Sequence, residues 1–223
     1  MRSQSKLMST LSGLFLSLAL SGSLNAKEAT YPAIAECEAQ IQKLQGQADH
    51  NKKLNQSLEF IWAQWMKEYP EWATYVGYPG QDGKWGDRSL ATIQKRKQLP
   101  SCHEKLLAKI NPKKLNEQNK LTLKLISKKI KTQMESTQFP SEYLIVDQLS
   151  GAHMDIVDLM MSASKLTPKD YEDRLSRLDT FPTYIDQTIA LMEEGLKNKI
   201  TPVKFLMEAV PKQFDTVLTK DAK

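Results

Sequence analysis

Three histidines, two cysteines and a few paired carboxylates are the residues here whose types could do metal or nucleophilic chemistry. A zinc site needs several His, Cys or acidic side chains converging on one ion, often with two histidines one helical turn apart. His50, His103 and His153 are far apart, and none has a histidine at that spacing. The densest local cluster is His153, Asp155 and Asp158. On a helix Asp155 falls near the flank opposite the other two, so a packed or surface histidine fits better than a ligand. Leu149-Ser150-Gly151 followed by His153 suggests a nucleophile and a base. It lacks the strand–turn–helix frame and the preceding glycine that expose a nucleophilic serine, and Gly151 suits a tight turn into a helix. Glu172-Asp173 and Glu193-Glu194 are helical neighbours. Such neighbours point about 100° apart, so they form no carboxylate dyad and are expected to face solvent. No phosphate-binding glycine loop or dinucleotide fingerprint occurs. Neither catalytic nor metal-ligating residues are therefore assigned.

Two further groups are candidates for binding. Trp62, Trp65, Trp72 and Trp85 crowd the N-terminal third. They could line a peptide or carbohydrate groove, but Trp62 and Trp65 share an apolar helical face, which favours core packing. Lys120, Lys124, Lys128 and Lys131 repeat along one side of a long helix. Such a stripe could meet anionic lipid or an acidic partner, and is more often a solvated face.

The elements that must position these residues are helices. Ile34, Cys37, Ile41 and Leu44 predict a helix near 33–54. Leu58, Ile61, Trp62, Trp65 and Tyr69 predict a second, starting near Asn55 or Ser57 and ending at Pro70. Residues 78–86, with three glycines and a proline, are a loop. Asp87 and Ser89 offer caps for the next helix, Pro100 breaks the pattern, and Asn111-Pro112 ends its resumption. Leu115 to Met134 is a long helix, and Tyr143 to Val146 is the single plausible strand. Another helix runs to Met161. Thr167-Pro168 with Asp170 then writes a helix start. Phe181-Pro182 restarts that helix, Gly195 stands near its left-handed cap, and Thr201-Pro202 starts another by the same device. Pro211 interrupts the last one. The expected fold is all-α, a multi-helix array or bundle sharing one core.

The N-terminus resembles a targeting segment. Arg2 and Lys6 precede an uncharged Leu- and Ser-rich run, Leu7 to Leu20, followed by small residues. Cleavage is expected after Ala26, with Ser23 as the alternative, leaving residues 27–223 as a single all-helical domain. The net charge then falls from +5 to +3 through loss of Arg2 and Lys6. This excludes no fold, but it gives no reason to expect nucleic acid. No integral membrane span is expected after removal of the segment. The expected location is periplasmic or secreted. There, Cys37 and Cys102 can form one bridge closing a loop of roughly 65 residues, with two buried thiols as the alternative.

Several short pieces, in order, resemble the N-terminal part of a bacterial family catalogued as domain of unknown function 885. They are Pro70-Glu-Trp-Ala-Thr-Tyr-Val-Gly77, Trp85-Gly-Asp-Arg-Ser89, Asp147-Gln-Leu-Ser-Gly151, Asp170-Tyr-Glu-Asp-Arg174 with Arg177-Leu178, Phe181-Pro182, and Met192-Glu-Glu-Gly195 leading to Thr201-Pro202. That family looks like a branch of exported helical zinc metallopeptidases of the zincin type. Its members are far longer, and their zinc motif, of a His-Glu-x-x-x-x-His type, lies in the second half. No such motif stands in this chain. The resemblance implies an exported N-terminal portion lacking the zinc half and inactive alone. No cofactor is expected in this chain, zinc belonging to the full-length relatives. What carries over is scaffold: the Ala73-to-Gly77 turn, the Gly151 turn, the Arg174/Arg177 helix and the Gly195-to-Pro202 connection. Asp147, Gln148 and His153 are the residues expected to face the cleft. The implied partner is a separate C-terminal catalytic half or a peptide. The alternative is a free-standing periplasmic module binding peptide or protein through the Trp72–Trp85 region.

Overall fold

The computed structural model describes residues 30–219, within a unit spanning Tyr31–Lys223. The expected targeting segment and its cleavage position lie outside the described residues. Helix α1, Pro32–Lys43, opens on a proline whose missing N–H has no partner to lose there. Helix α2, His50–Glu68, is capped by the Asp49 carboxylate, which accepts from the Asn51 and Lys52 backbone amides at 2.8 and 3.3 Å. The break between the first two helices thus falls earlier than the pattern predicts. The apolar stripe ends at Leu44, Gly46 follows, and the cap is Asp49 rather than Asn55 or Ser57.

Helix α3, Pro70–Tyr75, follows at once, and Gly77 and Gly80 take the positive φ values that turn the next loop. Ser89 accepts from the Thr92 amide to start α4, Leu90–Arg96. Pro100 does not break a helix. It lies in the first turn of α5, Leu99–Leu107, where proline is tolerated. A 3-10 turn, Pro112–Lys114, leads to α6, Glu117–Ser136, capped by Asn116 and set two residues later than predicted. Helices α1, α2, α5 and α6 enclose the main core: Leu44, Leu54, Ile61, Leu106, Leu107, Ile110, Leu115, Leu123 and Ile130. Cys37 on α1 and Cys102 on α5 are buried, with their Sγ atoms at the bonding distance of 2.05 Å.

The strand expected at Tyr143 to Val146 is absent, and no strand occurs among the described residues. Ser141–Tyr143 is a 3-10 turn and the chain after it is irregular, because one short apolar run without a pairing partner makes no sheet. Helix α7, Ala152–Ser162, follows Gly151. Helix α8, Pro168–Lys197, starts with a full capping box between Thr167 and Asp170. Pro182 lies inside α8 and does not restart it. In the turn before it, the Arg177 carbonyl accepts the Trp85 indole N–H at 2.7 Å and Thr180 Oγ1 donates to the Ser176 carbonyl at 2.9 Å.

Gly195 is not the left-handed cap; that conformation falls on Lys199, at φ 59°. A Cβ on Gly195 would stand 2.7 Å from the Ile200 carbonyl oxygen and 2.9 Å from the Tyr143 Cβ, so the glycine serves close packing. Helix α9, Lys204–Met207, starts after Val203 rather than at Thr201. Thr201 has Lys204 where Thr167 has Asp170, so no capping box can form. Pro211 sits in the first turn of α10, Val210–Thr219, and interrupts nothing.

Candidate functional site

The 78–89 loop is bound to α8 by a buried polar and aromatic knot. Arg177 is fully buried. Its Nε donates to the Lys84 carbonyl at 3.0 Å, and its Nη2 donates to the Gln81 carbonyl at 3.0 Å and to Thr74 Oγ1 at 2.9 Å. Thr74 Oγ1 in turn donates to Asp82 at 2.8 Å. Burial lowers the Arg177 pKa from its usual value, against the fields of Asp82 and Glu71. Trp85 packs against Tyr184 at 4.3 Å between ring centres with the rings tilted by 34°, and Arg88 lies 4.0 Å over the Tyr184 ring. Tyr184 donates to Asp155 Oδ2 at 2.7 Å, and Arg88 Nη2 reaches the same oxygen at 3.3 Å. Burial, joined by the Asp155 charge, pushes the Tyr184 hydroxyl well above the usual tyrosine range and keeps it protonated. These groups are bonded chiefly to one another. A shallow pocket of about 390 Å³ lies over this knot, lined by Trp85, Asp87, Thr180, Thr183, Tyr184 and Gln187 among others.

A second cleft, of about 380 Å³, opens where α2, the α4–α5 junction and the end of α6 meet. Its wall carries Trp65, Tyr69 and two ion pairs, Arg96–Glu68 at 2.8 Å and Lys97–Glu142 at 2.7 Å. His103 lies in the same wall. Gln64 donates through its amide to the Ala33 carbonyl at 2.6 Å, so its Oε1 accepts from His103 Nε2 at 2.7 Å, and His103 carries its proton there. Burial lowers the His103 pKa to about 4, so the ring is neutral at pH 7. The cleft is a mixed recess in which two aromatic rings stand beside ion-paired charges.

Asp147, Gln148 and His153 come together, with α10 against them. Asp147 Oδ1 accepts from the backbone amides of Leu149 and Ser150 and from the Ser150 hydroxyl, a self-contained turn. Those amide bonds lower the Asp147 pKa. Gln213 donates to the Gln148 carbonyl at 2.9 Å and accepts from His153 Nε2 at 3.1 Å. His153 stacks on Phe214 at 4.7 Å, and its Nδ1 is buried without a partner. Ser150 therefore bonds Asp147 and not His153, which removes the geometry a serine nucleophile needs.

The remaining candidates stay dispersed. His50 Nδ1 accepts from the Asn111 amide at 2.9 Å. Both cysteines are spent on each other. Among the described residues no three His, Cys, Asp or Glu side chains converge to hold a metal ion, so the donor set here does not fit zinc. Trp62 is exposed although its spacing predicts core packing, as is Trp72, while Trp65 and Trp85 are half-buried. Asp173 pairs with Lys169 and Glu194 with Lys197 on exposed helix faces. The Arg88–Asp155–Tyr184 group and the Gln64–His103 pair carry no sequence signal, because each joins residues 29 or more positions apart.

A family model described as a bacterial protein of unknown function (DUF885) matches residues 70–223. No curated protein and no solved structure matches. The matched span contains every piece of the 78–89 loop and α8 knot.

Proposed function

Because the chain belongs to the DUF885 family, we propose that it is the exported, non-catalytic N-terminal helical wall of a zinc-metallopeptidase-like protein, and that a separate chain or segment supplies the zinc half. One observation carries this reading. Tyr171, Leu175 and Leu178 lie along one face of α8 and are 54%, 61% and 45% exposed. The capping box and the α8 pattern create this apolar ridge, and α7 beside it also exposes Val157 and Met161. An apolar face of this kind calls for a covering surface. The convergence of family pieces on a knot that holds structure rather than reacting groups agrees with a scaffold role.

The test is co-expression of residues 27–223 with a chain carrying a DUF885 zinc half. A stable complex is expected, and Leu175→Ser with Leu178→Ser weakens it without lowering the melting temperature of the isolated chain. Chelator-sensitive peptide hydrolysis by residues 27–223 alone would overturn the proposal.

A second reading is favoured by the exposure of Trp72 and Tyr75 on α3. It is a free-standing periplasmic module that binds peptide or protein through the region around Trp72. A sharp, cooperative thermal transition with no binding of an apolar dye supports this module. A broad transition with dye binding supports the orphan wall.

A further inference from the structure

We propose that the outward face of α6 is a docking surface for an anionic phospholipid bilayer. The charge of this chain is strongly segregated. Residues 99–136, from the start of α5 to the end of α6, hold nine Lys against three Glu, a net +6, while the whole chain is only +5. Residues 141–200 hold 11 acidic against six basic residues, a net −5. The positive charge is therefore concentrated on the α5–α6 hairpin, and the α7–α8 region is net acidic.

The α6 face has a second property that a merely solvated lysine stripe lacks. Leu123 and Ile130 point into the core, with Ile126 and Met134 packed against it. On the opposite side Leu121 and Leu125, one turn apart, are 51% and 60% exposed. Lys120, Lys124, Lys128 and Lys131 flank them on one side and Lys129 on the other, all exposed. Lys120 pairs with Glu117 and Lys129 lies 4.8 Å over the Trp65 ring. Lys124, Lys128 and Lys131 have no ion-pair partner among the described residues, and neither do the exposed Lys105, Lys109, Lys113 and Lys114 of the same hairpin.

Leucines bracketed by lysines on a helix of 20 residues match an interfacial arrangement. The leucines enter the acyl boundary, the lysine stems lie along it, and the ammonium groups stay at the headgroups. The α5–α6 hairpin is poorly suited to nucleic acid, since its exposed cations are lysines and the α6 face has no stacking aromatic. No helix among the described residues is long and apolar enough to cross a bilayer, so this is adsorption to a surface.

The experiment is cosedimentation of the full chain with vesicles of phosphatidylcholine alone or with one third phosphatidylglycerol. Because residues 1–26 are present in every sample, only differences count. Binding at least tenfold tighter to the anionic vesicles is expected, falling as salt rises. Each lysine near such a surface contributes about a fivefold factor. Replacing Lys124, Lys128 and Lys131 by glutamine should therefore weaken anionic binding by about 100-fold. The matching triple arginine variant retains it. Leu121→Ser with Leu125→Ser weakens binding severalfold and keeps its salt dependence. All these positions are exposed, and circular dichroism verifies that each variant is folded. Equal binding to both vesicle types, or unchanged binding by the triple glutamine variant, overturns the proposal. So does tighter retention on polyglutamate than on vesicles together with indifference to the leucine variant, which would assign the face to an acidic polypeptide.

Discussion

Arg177 donates through Nε to the Lys84 carbonyl at 3.0 Å, across 93 residues of chain. With Nη2 on Gln81 and Thr74, this one side chain replaces the secondary structure that the 78–89 loop lacks. Its position inside α8, with its own carbonyl accepting the Trp85 indole N–H, makes α8 the spine on which the loop is set.

Arg177→Met should cost about 3 kcal/mol, because two buried carbonyls and a hydroxyl lose their donor. Arg177→Lys should recover less than half of this, since one ammonium cannot reproduce the guanidinium fork. Urea unfolding measures both, and a red shift of Trp85 fluorescence before global unfolding reports release of the loop. A loss under 1 kcal/mol for Arg177→Met would refute the role assigned to it.

Removal of the Cys37–Cys102 link should cost about 4 kcal/mol in the chain-entropy account, given its 65-residue separation. The measurement is the thermal midpoint of the chain with and without reductant. A Cys37→Ser, Cys102→Ser chain should match the reduced form, and an unshifted midpoint in reductant would show that the link adds no stability.

Acid should weaken the fold through His103. Its folded pKa is about 4 against the ordinary histidine value of 6.5. Between those values the unfolded chain binds a proton that the folded chain refuses, so stability rises with pH. Acidification from pH 7 to 4 should remove up to roughly 3 kcal/mol. Asp170, held at about 2 by the Ser164 hydroxyl and the Thr167 amide, adds its loss only at more acidic pH. Denaturant midpoints at stepped pH test this, and His103→Gln should flatten the slope between pH 6.5 and 4. An equal slope in that variant would place the effect elsewhere.

Gly195→Ala should destabilise by about 2 kcal/mol, since the new methyl meets the Ile200 carbonyl and the Tyr143 Cβ. Gly46→Ala meets nothing within 4 Å and should be close to neutral. Paired melting curves decide the matter, and similar shifts in both would remove the packing argument.

Helix content was legible from local chemistry. Asp49, Ser89, Asn116 and Thr167 cap helices with their own side chains, and each satisfies amides within three residues. Prolines misled. Pro100, Pro182 and Pro211 all sit within helices, two because the first turn needs no proline N–H, while Pro182 lies inside the 30-residue α8, which continues on both sides of it. The candidate site was less legible still. Asp147, Gln148 and His153 were chosen from a resemblance, yet the Gln213 that ties Gln148 to His153 lies 60 residues beyond that histidine.

Periodicity and capping are local, so the order of residues alone dictated an all-α chain, its main apolar faces and the lack of a zinc-binding motif. Tertiary structure alone decided which faces found partners. The same spacing that buries Leu123 and Ile130 on α6 leaves Tyr171, Leu175 and Leu178 of α8 in solvent. A helical stripe specifies that a side is apolar, but burial depends on what other segments bring against it. That depends on contacts between distant residues, of which Arg177 with Lys84 and Cys37 with Cys102 are the clearest here.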